Sequence, residues 1–188
     1  MTTKWTVPSL PATDNDQVLF LFDGLYSTAS DATLLPSLQY GTSAAGGGSY
    51  WSLVTWYILG DTAFYTTPVK VSVGDSLKGI LNMTVVSDTS YYYQASFANF
   101  NTTTFPLFLS PPLAFDVAEE RVEASGVTGP SDYPSSQTVF SNINLHLLND
   151  TNPPVQWNAH SDDENGVAVS IAADGAKNAA ITFIYPEA

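Results

Sequence analysis

The sequence predicts an all-β fold, a β-sandwich or jelly roll of two antiparallel sheets. Three observations predict it. Apolar and polar residues alternate over short runs, and clusters of Gly, Pro, Asn, Asp and Ser separate those runs. Tyr, Phe, Val, Thr and Trp dominate within them, the residues that fit a half-buried pleated surface. No segment keeps a helical period long enough to fix a helix.

Taken in order, residues 17–22 (QVLFLF) read as a buried strand closed by an Asp23-Gly24 turn. Residues 69–73 (VKVSV) alternate and end in Gly74-Asp75. Strands follow over 76–86, 91–100, 138–147, 167–172 and 180–185. Residues 114–124 are the one stretch that fits a helix as well as a strand. Residues 41–49, with Gly46-Gly47-Gly48, join two apolar strands and read as a mobile loop able to close as a lid. Residues 149–165 read as an acidic, Pro-containing excursion before the last two strands.

A chain of 188 residues and 20.2 kDa matches a single domain, here a sandwich over 1–188. Hydrophobic residues at 44% suffice for a core, while charged residues reach only 12%. The charges are lopsided, 18 acidic against 5 basic, for a net −13. Such a surface repels phosphates and anionic lipid, so nucleic acid and membrane are excluded as expected partners. With no cysteine there is no disulfide, thiolate metal site or cysteine catalysis. Few charged groups leave little stability to be lost on protonation, which suits acid. No apolar leader stands at the start, so no signal peptide is expected in this chain. Three Asn-x-Thr triplets begin at Asn82, Asn101 and Asn149.

Chemistry has few candidates. The two histidines, His146 and His160, lack a nucleophile-elbow partner, and no phosphate loop, dinucleotide fingerprint or HExxH is present. No cofactor is therefore expected. Residues 160–166 gather Asp162, Asp163 and Asn165, oxygen donors of the kind calcium takes, although a solvated acidic loop has the same composition. The chain carries 4 Trp, 10 Tyr and 10 Phe. Tyr50-Trp51 and Trp56-Tyr57 flank one strand, where exposed rings would stack on a ligand and buried ones would simply pack. Charge concentrates in Ala118-Glu-Glu-Arg-Val-Glu-Ala124. As a strand, this puts Glu119, Arg121 and Glu123 on one face and Glu120 and Val122 on the other. That face lines a cleft or blunts a sheet edge; the pattern fits both.

Several of these segments, in this order, resemble the glutamic peptidases (eqolisins). Phe22-Asp23-Gly24 is similar to that family's Ile-Asp-Gly, and Leu38-Gln39-Tyr40-Gly41 to its Leu-Gln-Thr-Gly. Thr55-Trp56-Tyr57 resembles Glu-Trp-Tyr, Val71 to Lys78 resembles Ile-Ser-x-Gly-Asp-Ser-Ile-x, and Ala98 to Thr103 resembles Glu-Asn-Leu-Thr-Thr. Ala118-Glu119-x-x-Val122-Glu123 resembles Ala-Glu-x-x-x-Glu. The resemblance implies a concanavalin A-like sandwich and acid endopeptidase activity. It implies Glu119 as general base and Gln39 as oxyanion donor, with Asp23, Tyr40, Trp56, Tyr57 and Glu123 in the substrate-binding shell. Leu19, Ser43, Leu53, Thr55 and Glu120 depart from the family's Trp, Asp, Trp, Glu and Trp or Phe.

Two functions follow as expectations. One is hydrolysis of polypeptide substrates in acid by a Glu/Gln dyad in a concave sheet, by a secreted protein. The other is a non-catalytic protein, cytoplasmic if its leader is truly lacking, that binds a carbohydrate or a planar aromatic small molecule on the same sheet.

Overall fold

The computed structural model describes residues 1–110, 113–148 and 151–187. In order, the strands are β1 (Thr2–Thr6), β2 (Val18–Ser27), β3 (Ala32–Ser43), β4 (Gly46–Leu59), β5 (Thr62–Tyr65), β6 (Val69–Lys70), β7 (Ser76–Ser87), β8 (Ser90–Phe97), β9 (Phe100–Leu109), β10 (Val117–Ser125), β11 (Gln137–Asn144), β12 (Ala168–Ala173) and β13 (Ala179–Ile184). One sheet runs β12-β13-β11-β1-β7-β8-β9. The other runs β10-β2-β3-β4-β5, with β6 also paired to β4. The pairings are antiparallel, and the two sheets form the expected β-sandwich. Among the described residues the only helix is a 3₁₀ turn at Pro130–Asp132, and no helix is long and apolar enough to cross a membrane.

The period of two along each strand decides which side chains meet. Leu19, Leu21, Leu38, Tyr40, Trp51 and Leu53 face inward and pack against Trp5, Leu77, Phe97, Phe140 and Phe183 of the opposite sheet. Polar stitches cross the same interior: Thr55 Oγ1 donates to the Thr103 carbonyl at 2.6 Å and Thr3 Oγ1 to Glu120 Oε1 at 2.5 Å. Leu19, Leu53 and Thr55, three of the departures from the glutamic-peptidase pattern, are thus core positions here.

Several local expectations are corrected. Asp23-Gly24 is no turn, because β2 continues to Ser27 with β10 and β3 paired along its two sides. Gly24 instead makes room, since a Cβ there would lie 3.2 Å from Glu119 Cγ. Residues 41–49 are paired strand around a short turn and not an open loop. β3 reaches Ser43 and β4 begins at Gly46, so the glycines are paired backbone in a tight hairpin. The 114–124 stretch is a strand from Val117, not a helix. The 69–73 and 138–147 runs keep only Val69–Lys70 and Gln137–Asn144 as strand. β1, which no expectation covered, lies between β11 and β7. Its Thr3 and Trp5 face the core. Asn82 and Asn101 are exposed, and Asn149 lies outside the described residues.

Candidate functional site

The outer face of the five-strand path is built by register. Glu123 pairs with Phe20, Phe20 with Gln39, Gln39 with Ser52, and Ser52 with Lys70, so these five side chains form one row. Arg121 pairs with Phe22, which pairs with Ser37, which pairs with Val54. Glu119 pairs with Gly24, four residues along β2 from Phe20. Direct partners share a face, so Glu119, Arg121 and Glu123 stand on the same side as Gln39. Two strand spacings separate Glu123 and Gln39, a Cα distance of about 10 Å. Glu119 lies a further four residues along, about 17 Å from Gln39. The row of Gln39 therefore contains Glu123 and not Glu119.

Gln39 is fully buried and every polar atom of its side chain is used. Nε2 donates to the carbonyls of Gly41 at 2.9 Å and Gly46 at 2.8 Å, and Oε1 accepts from Ser43 Oγ at 2.9 Å. The hairpin tip is shaped for this. Gly47 has φ +113, and a Cβ on it would fall 2.3 Å from the Gly41 carbonyl oxygen and 2.5 Å from Gln39 Nε2. No side chain fits there, so the backbone closes down on the amide.

The charged edge is different. Arg121 Nη1 lies 3.1 Å from Glu123 Oε1 and 3.8 Å from Glu119 Oε2. The Glu119 side chain is 24% exposed and that of Glu123 44%. Burial raises the pKa of Glu119, Arg121 opposes the shift, and Glu123 adds to it.

The middle of the face is apolar. Phe22, Leu35, Val54 and Trp56 form a cluster with Phe20, Ala45 and Ile58 packed against it. Trp56 sits between Phe20 at 6.1 Å and Tyr65 at 4.9 Å, ring centre to ring centre. Ser37 Oγ, Ser52 Oγ and Trp56 Nε1 are buried without a hydrogen-bond partner. Such orphan groups cost roughly 1–3 kcal/mol each and call for an explanation. Sequence reasoning missed both serines; only their register beside Gln39 and Phe22 brings them out.

Of the expected binding shell, Trp56 and Glu123 share the face of Gln39. Asp23, Tyr40 and Tyr57 do not. They occupy the alternate positions and point into the sandwich, where Tyr40 meets Trp51 at 5.5 Å and Tyr57 meets Phe105 at 6.4 Å. A substrate on the outer face cannot touch them. Asp162 spends both carboxylate oxygens on Asn165, at 3.1 and 2.8 Å, in a turn that bridges to Val167. Among the described residues no three of His, Asp and Glu gather as metal ligands, Asp163 included.

The interior holds a second acidic feature. Asp23 and Glu120 are register partners on the core side of β2 and β10. Asp23 is fully buried and packs on Gly79, where a Cβ would lie 2.1 Å from its Oδ1. Both Asp23 oxygens and Glu120 Oε2 lack hydrogen-bond partners. Burial pushes Asp23 up to about 7, and burial together with the Asp23 charge pushes Glu120 well above the usual carboxylate range. The odd spacing of Glu120 from Glu119 and Glu123 placed it on this side; nothing in the sequence paired it with Asp23.

No family model matches the chain, and no curated protein matches it. Two solved structures do. One is a scytalidoglutamic peptidase with a peptide-based transition-state analog, at TM-score 0.57 and 14% identity, covering 98% of this chain and 91% of that one. The two share the β-sandwich fold. The other, SCP-B, is a member of the eqolisin family in complex with the tripeptide Ala-Ile-His, at TM-score 0.52 and 14% identity, covering 98% and 92%. Glutamic peptidases are thus structural neighbours of this chain over nearly its whole length.

Proposed function

We propose that this chain is an acid endopeptidase of the glutamic type whose base is Glu123, rather than the Glu119 that the motif alone suggested. The observation that supports it is the shared row: Glu123 and Gln39 stand on one face, separated only by Phe20. Glu123 takes a proton from water as that water attacks the scissile carbonyl, then passes the proton to the leaving amine. The Gln39 amide donates to the developing oxyanion without changing charge with pH. The orphan Ser52 hydroxyl beside Gln39 is a second donor for the same oxygen. Arg121, at 3.1 Å, orients the Glu123 carboxylate. In the closed hairpin the Gln39 amide is spent on Gly41 and Gly46, so a substrate must displace the tip to reach it.

The same saturation of Gln39, with the aromatic cluster over the face, favours a second reading: a binding protein with no chemistry that holds an apolar or planar ligand against Phe20, with Trp56 buried beside it. Cleavage of a denatured protein between pH 2 and 7 separates the two. The peptidase cleaves in acid, and Glu123→Gln loses about 10²-fold or more in rate. No cleavage from a chain folded at every pH eliminates the peptidase and leaves the binder.

A further inference from the structure

Where β10 ends the smaller sheet, the two sheets part into a cleft of about 1680 Å³ whose wall takes in both faces of β10, Glu119 and Arg121 as well as Glu120 and Val122, but not Gln39 or Glu123. Ligand pockets are usually about 300–1,000 Å³, so a ligand would fill only part of it. Leu25, Leu81, Met83, Tyr93 and Phe115 make one stretch of its wall apolar, and Glu120 lines it beside them. The register partner of Glu120, Asp23, lies fully buried beside it, off the cleft wall. Thr3 satisfies Glu120 Oε1, and Gly79 leaves the space that Asp23 occupies. Asp23 Oδ1, Asp23 Oδ2 and Glu120 Oε2 remain as three buried acceptors with no donor.

From this geometry we infer a binding site for an apolar amine, its ammonium set between Asp23 and Glu120 and its hydrocarbon along Leu25, Leu81, Met83, Tyr93 and Phe115. An ammonium brings three N–H donors and one positive charge, matching three open acceptors on two acids. An anion at the carboxyl pair is repelled by it and brings no donor, and a neutral hydrocarbon leaves the acceptors unpaired. No side chain or terminus present hydrogen-bonds these three oxygens. The Met1 ammonium acts on both carboxylates through its charge but donates to the Leu81 carbonyl at 2.6 Å. Arg121 turns to Glu119 and Glu123. The remaining ionisable groups on the cleft wall, Asp116, Asp162, His146 and His160, add two acids and two imidazoles. The buried pair holds protons in acid, so binding an ammonium displaces a proton and tightens as pH rises.

Calorimetric titration with n-octylammonium, 1-octanol and octanoate between pH 5 and 8 tests the site. Octylammonium is expected to bind at least tenfold more tightly than octanol. Its affinity should gain up to tenfold per pH unit where one proton is released. Octanoate should not bind, and Glu120→Gln or Asp23→Asn should weaken octylammonium at least tenfold. The inference is overturned if octylammonium does not bind, if octanol matches it, or if a folded Glu120→Gln binds unchanged. Should both variants fail to fold, the wild-type comparison of octylammonium with octanol, with its pH trend, decides alone. The site lies across β10 from the proposed dyad, so these outcomes do not depend on whether the chain cleaves peptides.

Discussion

At Gly79 a missing side chain decides how the sheets fit together. A methyl group there would lie 2.1 Å from Asp23 Oδ1, well inside contact distance. Gly79→Ala should therefore destabilise the fold by about 1–3 kcal/mol. The loss should shrink in an Asp23→Ala background, because the clash partner is gone. Urea unfolding of the four chains measures both terms; additive losses would show that Gly79 serves some other purpose. Gly47 acts likewise on the outer face, where its empty position lets two carbonyls take the Gln39 amide. Which face each residue occupied was legible in the sequence here. Alternation put Glu119, Arg121 and Glu123 on one side of β10 and Glu120 on the other, as observed. Which glutamate meets Gln39 was not legible. That depends on the register of β2 against its neighbour β3 and of β10 against β2, strands about 100 residues apart whose register is set by packing that no local pattern encodes.

Among the elements, β2 and β10 carry a pH dependence opposite to that of most acidic pairs. Free carboxyls titrate near 3.8 and 4.5, whereas Asp23 in the fold titrates at about 7 and Glu120 is raised as well. Between those values the folded chain holds protons that the unfolded chain has released. Stability contributed by the pair is thus full in acid and falls as pH rises from about 4 through 7, by an upper bound of about 4 kcal/mol for Asp23. Thermal melts across pH 3–8 should show Tm declining toward neutrality, and Asp23→Asn should flatten the decline. A Tm that climbs through this range would contradict the pairing. Asp132 behaves in the ordinary sense. Burial works to raise it, but donors on Thr13, Thr128 and Asn15 hold it down at about 2. Its contribution is present above the usual carboxylate range and is lost as pH falls from about 4 through 2. The Asp23-Gly24 dipeptide misled at this scale. Its turn preference is local, and two flanking strands outweigh it.

Over the whole molecule, the sandwich was legible because strand alternation and turn chemistry recur along the chain. β1 was hidden because its Thr-rich segment offers little apolar signal, although Trp5 anchors it against Phe97 and Phe140 at 5.6 and 4.9 Å. The molecule presents two acidic arrangements on opposite sides of one strand. The outer row of β10 meets Gln39, and the inner pair meets the cleft between the sheets through Glu120. A low charged fraction and an interior pair that favours its protons both reduce the stability lost in acid, the range in which the proposed glutamate base would work. The central claim is the row assignment, and a single measurement tests it. That measurement is kcat/KM on a peptide substrate in acid for wild type, Glu119→Gln and Glu123→Gln, each verified as folded. The row predicts a loss of about 10²-fold or more for Glu123→Gln and a loss below about tenfold for Glu119→Gln, whose carboxyl stands four residues away along the strand. The reverse order, or an active Glu123→Gln, would contradict it.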